Sequence, residues 1–376
     1  MQMKEYLYHV ITRRRNGILP TFIRGMLTPL SWKYRGLLEL RHWLYALRIR
    51  QPKCLPCAVI SVGNIVAGGA GKTPTVIWIA RYLRSQGFRV AVLLRGYRRE
   101  GRHPTAIVSD GKGMSTTPEE SGDEAAMIAS MLPGVPVLVG RDRYVTGLKA
   151  IRIWGQTDGV LILDDGFQHR QLARDLDILT IDSTQPFGTG KLLPAGTLRE
   201  PPSALKRADL VLLTRVDLAT QPLQASAQLE EFVQGKQIFE SCHQPARLYG
   251  LDTGEGCSLE LLRRRRLLAV CGIGNPEAFA ETLRRHEPHW VELLAFPDHH
   301  RYTPKDLTQI WSHARQICAD LIVTTQKDAP KLAAFPTKPE LQICVLAIVL
   351  KVTTDEEVLR QRLREACYNT NLQLTN

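Results

Sequence analysis

Residues 58–75, AVISVGNIVAGGAGKTPT, combine glycines, a lysine and a hydroxyl side chain at close spacing. The β-branched residues at the start favour a strand, and apolar residues on helical spacing after Lys72 favour a helix. Glycines let backbone N–H groups converge on phosphate oxygens, and the helix N-terminus adds a partial positive charge. The segment therefore predicts a phosphate-binding loop (P-loop), with Lys72 reaching the β/γ-phosphates and Thr73 binding Mg²⁺.

One position departs from the usual G-x-x-x-x-G-K-[ST] pattern, because Val66 stands where the first glycine is expected. Gly63, Gly68 and Gly69 supply flexibility instead. The alternative interpretation is a tight strand-to-helix turn that contains a lysine without binding phosphate.

Carboxylates follow at two further places. The apolar run from residue 159 ends in Asp164 and Asp165, and an acid at a strand tip is the hard oxygen ligand that Mg²⁺ needs beside a P-loop. Ser121 and Glu124 flank Asp123 in an S-x-x-E pattern before an apolar run, which predicts a capping box with Asp123 in the first helical turn.

The basic charge of the chain is concentrated near its start. The 376 residues carry a formal net charge of +12, and residues 1–53 hold eleven Lys or Arg against two acids. Leu, Trp and Tyr side chains between residues 37 and 47 predict a basic amphipathic helix suited to an anionic membrane interface. Packing of this helix on the protein's own core is the alternative. Its apolar runs are too short to span a bilayer, and no secretory signal is predicted.

Alternating apolar runs and helical patterns predict an α/β fold. We expect a P-loop NTPase-type, largely parallel sheet sandwiched by helices, plus a second, smaller α/β domain and the N-terminal interface helix. The predicted divisions are residues 1–53 for the membrane-associated helix region, 54–225 for the P-loop domain, 226–345 for the smaller domain and 346–376 for a C-terminal strand and helix packing back on the P-loop domain.

Taken together, the motifs resemble the tetraacyldisaccharide 4′-kinases of lipid A biosynthesis. The matching stretches are Pro29-Leu30-Ser31-Trp32, the loop from Ser61 to Pro74, Arg95-Gly96-Tyr97, Gly122-Asp123-Glu124, Asp164-Asp165-Gly166-Phe167-Gln168-His169, Leu193-Pro194-Ala195-Gly196, Leu198-Arg199-Glu200-Pro201, Phe296-Pro297-Asp298-His299-His300 and Thr325-Gln326-Lys327-Asp328-Ala329. The family shares the missing first glycine. Leu94, Arg98, Ala125 and Gln326 depart from its usual residues.

The resemblance implies an ATP- and Mg²⁺-dependent kinase that phosphorylates the 4′-hydroxyl of a lipid-linked disaccharide 1-phosphate and forms a lipid IVA-type product. It implies Asp123 as the base, oriented by His299 from the second domain. The residues implied to bind the nucleotide are Val66, Ala67, Gly68, Gly69, Ala70, Gly71, Lys72 and Thr73. Those implied to hold or lie near the metal ion are Thr73, Asp164, Glu124, Asp165 and Gln168. Those implied to bind the acceptor or phosphate are Arg95, Arg143, His169 and Arg199.

The implied location is the cytoplasmic face of the inner membrane, reached peripherally or monotopically through the N-terminal helix. No nucleic-acid partner and no obligate protein partner are expected.

Two other functional classes are alternatives to the kinase. A P-loop GTPase acting as a protein switch is suggested by Thr214-Arg215-Val216-Asp217, which resembles a guanine-reading motif. A nucleic-acid-binding protein is suggested by the charge of +12, but no recognition module accompanies it.

Overall fold

The computed structural model describes residues 3–13, 15–96, 103–156, 158–219, 229–233, 235–335 and 341–375. Two residues named above lie outside these ranges: Tyr97, the last residue of the Arg95-Gly96-Tyr97 motif, and Arg98, which departs from the family pattern. The helices are α1 Met3–Ile11, α2 Ile18–Ala46, α3 Lys72–Ser85, α4 Pro118–Ser121, α5 Asp123–Met131, α6 Arg143–Trp154, α7 Pro276–Arg284, α8 Pro304–Gln316, α9 Ala329–Leu332 and α10 Glu356–Thr375.

The strands follow the apolar runs of the sequence. They are β1 Ala58–Gly63, β2 Arg89–Leu94, β3 Thr105–Ser109, β4 Val137–Gly140, β5 Gly159–Asp164, β6 Leu176–Asp182, β7 Leu210–Thr214, β8 Ile238–Gly250, β9 Gly256–Cys257, β10 Arg266–Cys271, β11 Trp290–Ala295, β12 Leu321–Thr325 and β13 Ile343–Val352.

The chain forms two compact units. The first comprises Met1–Cys242 and Val352–Asn376, and the second comprises His243–Lys351. In the first unit the strand order is β8-β7-β6-β1-β5-β2-β4-β3; β3 and β4 pair antiparallel, and the other neighbours in this order pair in parallel. In the second unit β11, β10, β12 and β13 pair in parallel in that order. The α/β class with a largely parallel sheet is confirmed.

The strands at the centre of the first unit are buried along their whole length. Every residue of β1 and β5 is buried, as expected for parallel strands covered by helices on both faces. Leu161 and Leu163 of β5 pack with Leu93 and Leu138 on one side of the sheet. Further along the same face, at β6 and β7, Phe167 and Leu179 pack with Leu205 and Val211. The apolar core thus fixes the sheet, and the polar residues follow where its strands end.

The neighbouring strands β5, β1, β6 and β7 end at the same edge of the sheet because they run in parallel. The P-loop follows β1, Asp164 is the last residue of β5, and Asp182 is the last residue of β6. Ligands bind at this edge in open α/β sheets. The register therefore brings together residues that are more than 100 positions apart in the chain.

We expect Gly63→Ala to lower the stability of the protein. A Cβ at Gly63, the last residue of β1, would lie 2.4 Å from Phe167 Cβ and 2.6 Å from the Phe167 backbone nitrogen. Because backbone must move to accept it, the free energy of unfolding should fall by about 1–3 kcal/mol, as for other overpacked sites. Urea unfolding followed by circular dichroism measures the change. Gly36→Ala is the matched control, since nothing lies within 4 Å of its added Cβ; an equal effect of both substitutions would contradict the expectation.

Candidate active site at the edge of the parallel sheet

The P-loop lies between β1 and α3, with its backbone fixed from one side. Gly71 adopts the left-handed conformation (φ 76°) at the N-cap of α3. The carbonyl oxygen of Gly69 accepts from Arg215 Nη1 at 2.7 Å, and that of Ala70 accepts from Thr214 Oγ1 at 3.3 Å. Because a trans peptide directs its N–H away from its C=O, the Gly71 N–H points away from Thr214.

The first half of the loop is held by a second segment. The Ala67 nitrogen donates to Thr197 O at 2.7 Å, and the Arg199 nitrogen donates to Ile65 O at 2.7 Å. Val66 forms an antiparallel bridge with Leu198. The residue at the position of the missing glycine thus has a structural partner. The P-loop and the segment from residue 197 to 199 consequently form one backbone assembly.

Thr73 and Glu124 meet at the start of their helices. Thr73 Oγ1 donates to Glu124 Oε1 at 2.7 Å. The predicted capping box is wrong: α4 ends at Ser121, Gly122 is the N-cap of α5 without a side-chain cap, and Ser121 Oγ donates to Thr117 O instead. Glu124 is therefore turned towards the P-loop, and Asp123 is the first residue of α5.

Asp165 lies between two cationic side chains. Lys72 Nζ is 3.5 Å from Asp165 Oδ1, and Arg199 Nη1 is 2.8 Å from both carboxylate oxygens. Burial works to raise the pKa of Asp165, but Lys72 and Arg199 outweigh it and bring the pKa to about 2. The carboxylate therefore stays ionised at neutral pH and connects the P-loop lysine to the 197–199 segment.

Asp164 occupies the most buried position of the group. Its side chain is 3% exposed, and its Oδ1 atom is buried without a hydrogen-bond partner. Burial raises its pKa well above the usual range, and the nearby Glu124 carboxylate raises it further, while Lys72 lowers it. An acceptor oxygen left without a donor among carboxylates fits a site for a hard cation.

The donor set fits Mg²⁺ held mostly by substrate and water. Within the described ranges, no group of three or more His, Cys, Asp and Glu side chains forms a cage for a metal ion. Mg²⁺ commonly uses one or two carboxylates plus phosphate oxygens, and the hydroxyl of Thr73 adds an oxygen to Asp164 and Glu124. Gln168 is engaged nearby, since its Nε2 donates to Asn64 O at 2.8 Å.

Three further predicted residues, two arginines and a histidine, form a cluster beside the acids. Arg143, at the start of α6, is 2% exposed, and its Nη2 donates to Asp164 O at 3.4 Å. Burial lowers its pKa to about 10, with Asp165 opposing the shift and Arg95 adding to it. Burial, followed by Arg143, lowers the pKa of His169 to about 4. Arg95, Arg143 and His169 are thus electrostatic neighbours, and His169 is neutral at pH 7.

His299 belongs to the second unit, in the turn that follows β11. Its Nε2 is 3.3 Å from Lys327 Nζ and 3.9 Å from Asp298 Oδ1. The structure thus groups the predicted residues of the first unit with one another and gives His299 surroundings of its own. Its pairing with Asp123 stays a prediction.

Helix α2 packs on the loop that carries Arg199. Ser31 Oγ donates to Leu192 O and accepts from the Ala195 nitrogen, both at 3.0 Å. Tyr34 Oη donates to Arg199 O at 2.9 Å. Glu200 is fully buried, and its carboxylate contacts Arg41, His42 and Arg207 at 3.6, 3.2 and 2.7 Å. These three contacts offset the cost of burying the negative charge. One side of α2 is therefore part of the site's support.

The other side of α2 carries large apolar side chains in contact with solvent. Trp32, Leu37 and Trp43 are 69%, 66% and 60% exposed. Leu38, which the sequence placed on the same face, is buried. None of the helices in the described part of the chain is long and apolar enough to cross a membrane.

Comparison with known proteins places the chain in a kinase family. The family model described as tetraacyldisaccharide-1-P 4′-kinase (LpxK) matches residues 23–368. The tetraacyldisaccharide 4′-kinase of Syntrophus aciditrophicus is 46% identical over 335 residues, covering 87% of this chain and 89% of the relative. That of Halothermothrix orenii is 38% identical over 376 residues, covering 94% and 96%. The chain belongs to the tetraacyldisaccharide 4′-kinase family.

A solved structure of the same family supports the fold. The crystal structure of LpxK from Aquifex aeolicus in complex with ATP superposes with a TM-score of 0.70 at 33% identity. The match covers 92% of this chain and all of that one. The resemblance inferred from the motifs is confirmed.

Family membership and geometry both disfavour the GTPase alternative. Arg215, which belongs to the stretch that resembles a guanine-reading motif, is buried and bound to Gly69 O and to Asp182. Arg215 has a left-handed backbone conformation (φ 57°), and its side chain contacts the backbone of the P-loop. In this family member the motif that resembles a base reader supports the phosphate-binding loop.

Several contributing residues had no assigned role in the sequence. Ser31, Tyr34 and Glu200 support the loop of Arg199, and Lys327 contacts His299. For Glu200, the sequence did carry a signal of such a role: a charged residue inside an otherwise apolar or Pro-rich stretch. A charge in such a stretch must find partners when it is buried. Tyr34 gave no comparable signal, since its partner is a backbone oxygen 165 positions away.

We expect His169→Gln to reduce the loss of stability on acidification. The folded protein holds the pKa of His169 at about 4, whereas an unfolded histidine titrates near 6.5. Unfolding therefore takes up a proton below pH 6.5, so this histidine costs stability as the pH falls from about 6.5 to about 4. The urea midpoint of the wild type should drop more between pH 7 and pH 5 than that of the variant. Equal drops in both proteins would show that His169 does not titrate as described.

Proposed function

We propose that this chain transfers the γ-phosphoryl group of ATP to the 4′-hydroxyl of a tetraacyldisaccharide 1-phosphate, forming a lipid IVA-type product in lipid A biosynthesis. The observation that carries the proposal is the meeting of Lys72, Asp164, Asp165 and Arg199 at the end of parallel strands in a member of this family. The ATP-bound relative from Aquifex aeolicus supports the choice of nucleotide.

The residues of the first unit would divide the work on the phosphates. Val66 to Thr73 would hold ATP, with Lys72 and Arg199 offsetting the negative charge that develops on the transferring group. Both cations already contact Asp165, so they are held in place before the nucleotide arrives. Mg²⁺ would be held by Thr73, Asp164 and Glu124, with Asp165 and Gln168 nearby, and would neutralise phosphate charge when bound.

Asp123 is the proposed general base. It is the first residue of α5, next to Glu124, which already contacts Thr73 of the P-loop. A carboxylate at that point can accept the proton of the 4′-hydroxyl as the oxygen attacks the γ-phosphorus. His299 is proposed to orient Asp123 and to stabilise the charge changes on it. Arg95, Arg143 and His169 would bind the acceptor's phosphate or sugar, since they form one cluster beside Asp164.

Helix α2 is the proposed contact with the membrane. Its outer side carries exposed Trp and Leu side chains, and Lys33, Arg48 and Arg50 are exposed on or next to it. Such a helix lies in the interface of an anionic surface. We infer a peripheral or monotopic location on the cytoplasmic face of the inner membrane, where the lipid acceptor would be reached directly.

The kinase assignment predicts lipid labelling that depends on named residues. Purified protein, Mg²⁺, γ-labelled ATP and a lipid A disaccharide 1-phosphate in detergent should give labelled lipid. Lys72→Ala removes the phosphate-binding charge and Asp123→Asn removes the proton acceptor, so each should lower kcat by about 10²–10⁴-fold, the range for lost acid–base or charge stabilisation. Thin-layer chromatography of the lipid product measures the label.

Lys112→Ala and Asp158→Asn are the matched controls, because both side chains are exposed. They should keep wild-type rates. Release of phosphate without lipid labelling, or a preference for GTP over ATP, would contradict the kinase and favour a switch NTPase. Full activity of Asp123→Asn would refute the assigned base alone.

The membrane proposal predicts that exposed tryptophans of α2 determine partitioning. The double variant Trp32→Ser, Trp43→Ser should bind vesicles of phosphatidylethanolamine and phosphatidylglycerol at least about tenfold more weakly, because each aromatic ring contributes on the order of 1.5–3 kcal/mol when buried. Vesicle co-sedimentation measures binding. Trp290→Ser is the control, since Trp290 is 59% exposed on β11 of the second unit. Unchanged binding of the double variant would remove α2 from the membrane contact.

A further inference from the structure

Lys327 lies against the ring of His299 in the second unit. Its Nζ is 2.8 Å from Asp298 Oδ1 and 3.3 Å from His299 Nε2. The lysine side chain is only 19% exposed. It belongs to the turn after β12, whereas Asp298 and His299 belong to the turn after β11. The contact therefore joins two turns that are almost thirty residues apart in the chain.

Both turns are hydrogen-bonded to the backbone of Gly272. Asp328 is fully buried, and its Oδ2 accepts from the Gly272 nitrogen and from Thr325 Oγ1, both at 2.8 Å. The His299 nitrogen donates to Gly272 O at 3.2 Å. Gly272 thus holds both turns, and a Cβ there would lie 3.2 Å from Asp328 Oδ1 and from His300 Cβ. The approach of Lys327 to His299 follows from this scaffold.

The chemistry of the contact fixes the proton on the imidazole. A lysine ammonium has three donors and no acceptor, so the ring nitrogen that faces it must be an unprotonated acceptor. A neutral imidazole that accepts at Nε2 carries its hydrogen on Nδ1. We propose that Lys327 is a positioning residue for His299, holding the ring with Nε2 as the acceptor and Nδ1 as the protonated nitrogen. The proposal rests on the role of His299 in the proposed function.

Asp298 is the anionic partner of Lys327, with Lys327 Nζ 2.8 Å from Asp298 Oδ1. Burial works to raise the pKa of Asp298, but its neighbours, Lys327 first, lower it below its usual value. His299 adopts the left-handed backbone conformation (φ 60°), which is uncommon for a residue other than glycine. Backbone and side chain together give the ring one orientation, as partners behind catalytic or metal-binding histidines do.

The test measures the tautomer directly and compares it with catalysis. In protein labelled with ¹⁵N-histidine, the signals of His299 are assigned from the His299→Gln variant. The wild type should show Nδ1–H and an unprotonated Nε2. Lys327→Met should lose that pattern and lower kcat about 10–100-fold, while KM for ATP stays within about twofold, since a misplaced histidine weakens proton transfer and not nucleotide binding.

Two further variants separate positioning from folding. Lys327→Arg keeps a cationic donor and should restore the wild-type tautomer with kcat within about fivefold of wild type. Lys305→Met is the matched control, because Lys305 is exposed at the start of α8. It should leave both the spectrum and kcat unchanged.

The outcomes distinguish failure of this inference from failure of the proposed function. If Lys327→Met keeps the wild-type tautomer of His299, the inference is overturned whatever happens to the rate. If the tautomer changes and kcat does not, Lys327 does not act on catalysis and the inference is also overturned. If His299→Gln itself keeps full lipid-kinase activity, the role assigned to His299 in the proposed function is what fails, and the catalytic meaning of Lys327 fails with it.

Discussion

A partly buried carboxylate shared by two cations is the interaction on which the site depends. Asp165 contacts Lys72 and Arg199, which come from the P-loop helix and from the 197–199 segment. Burial would favour the neutral acid, and the ionised form persists because both cations are within hydrogen-bond or ion-pair reach. Loss of either partner would leave this partly buried charge less well compensated. The same contacts that fold this edge of the sheet therefore place two positive charges where phosphate would bind.

Helix α2 extends this arrangement to the surface of the molecule. Through Ser31, Tyr34 and His42 it fixes the loop between residues 192 and 200, and that loop carries Arg199. Its opposite side exposes Trp32 and Trp43. One element thus combines a buried polar side, which orients a site residue, with an apolar side suited to lipid. A helix serving only as a membrane attachment would not need hydrogen bonds to the backbone beside the P-loop.

The sequence allowed the sheet and the acids to be predicted, because both depend on local patterns. Apolar runs gave the strands, and the residues at their ends gave Asp164 and the P-loop, since parallel strands bring their carboxyl ends to one edge. The Ser121–Glu124 capping box failed for a tertiary reason: Glu124 accepts from Thr73, which local spacing cannot reveal. Arg215 was misleading for the same reason, because its partner, the Gly69 carbonyl, is 146 residues away.

Three residues other than glycine adopt left-handed backbone conformations next to site contacts: Asp165, Arg215 and His299, with φ of 54°, 57° and 60°. Each follows closely on a strand end, and the turn sends its side chain in a different direction from that of the preceding residue. Asp164 can therefore remain buried in the sheet while Asp165 faces Lys72 and Arg199. Such conformations cost about 1–3 kcal/mol each and persist where surrounding contacts over-determine them. The ion pairs of Asp165 and Arg215, and the Lys327 contact of His299, are contacts of that kind.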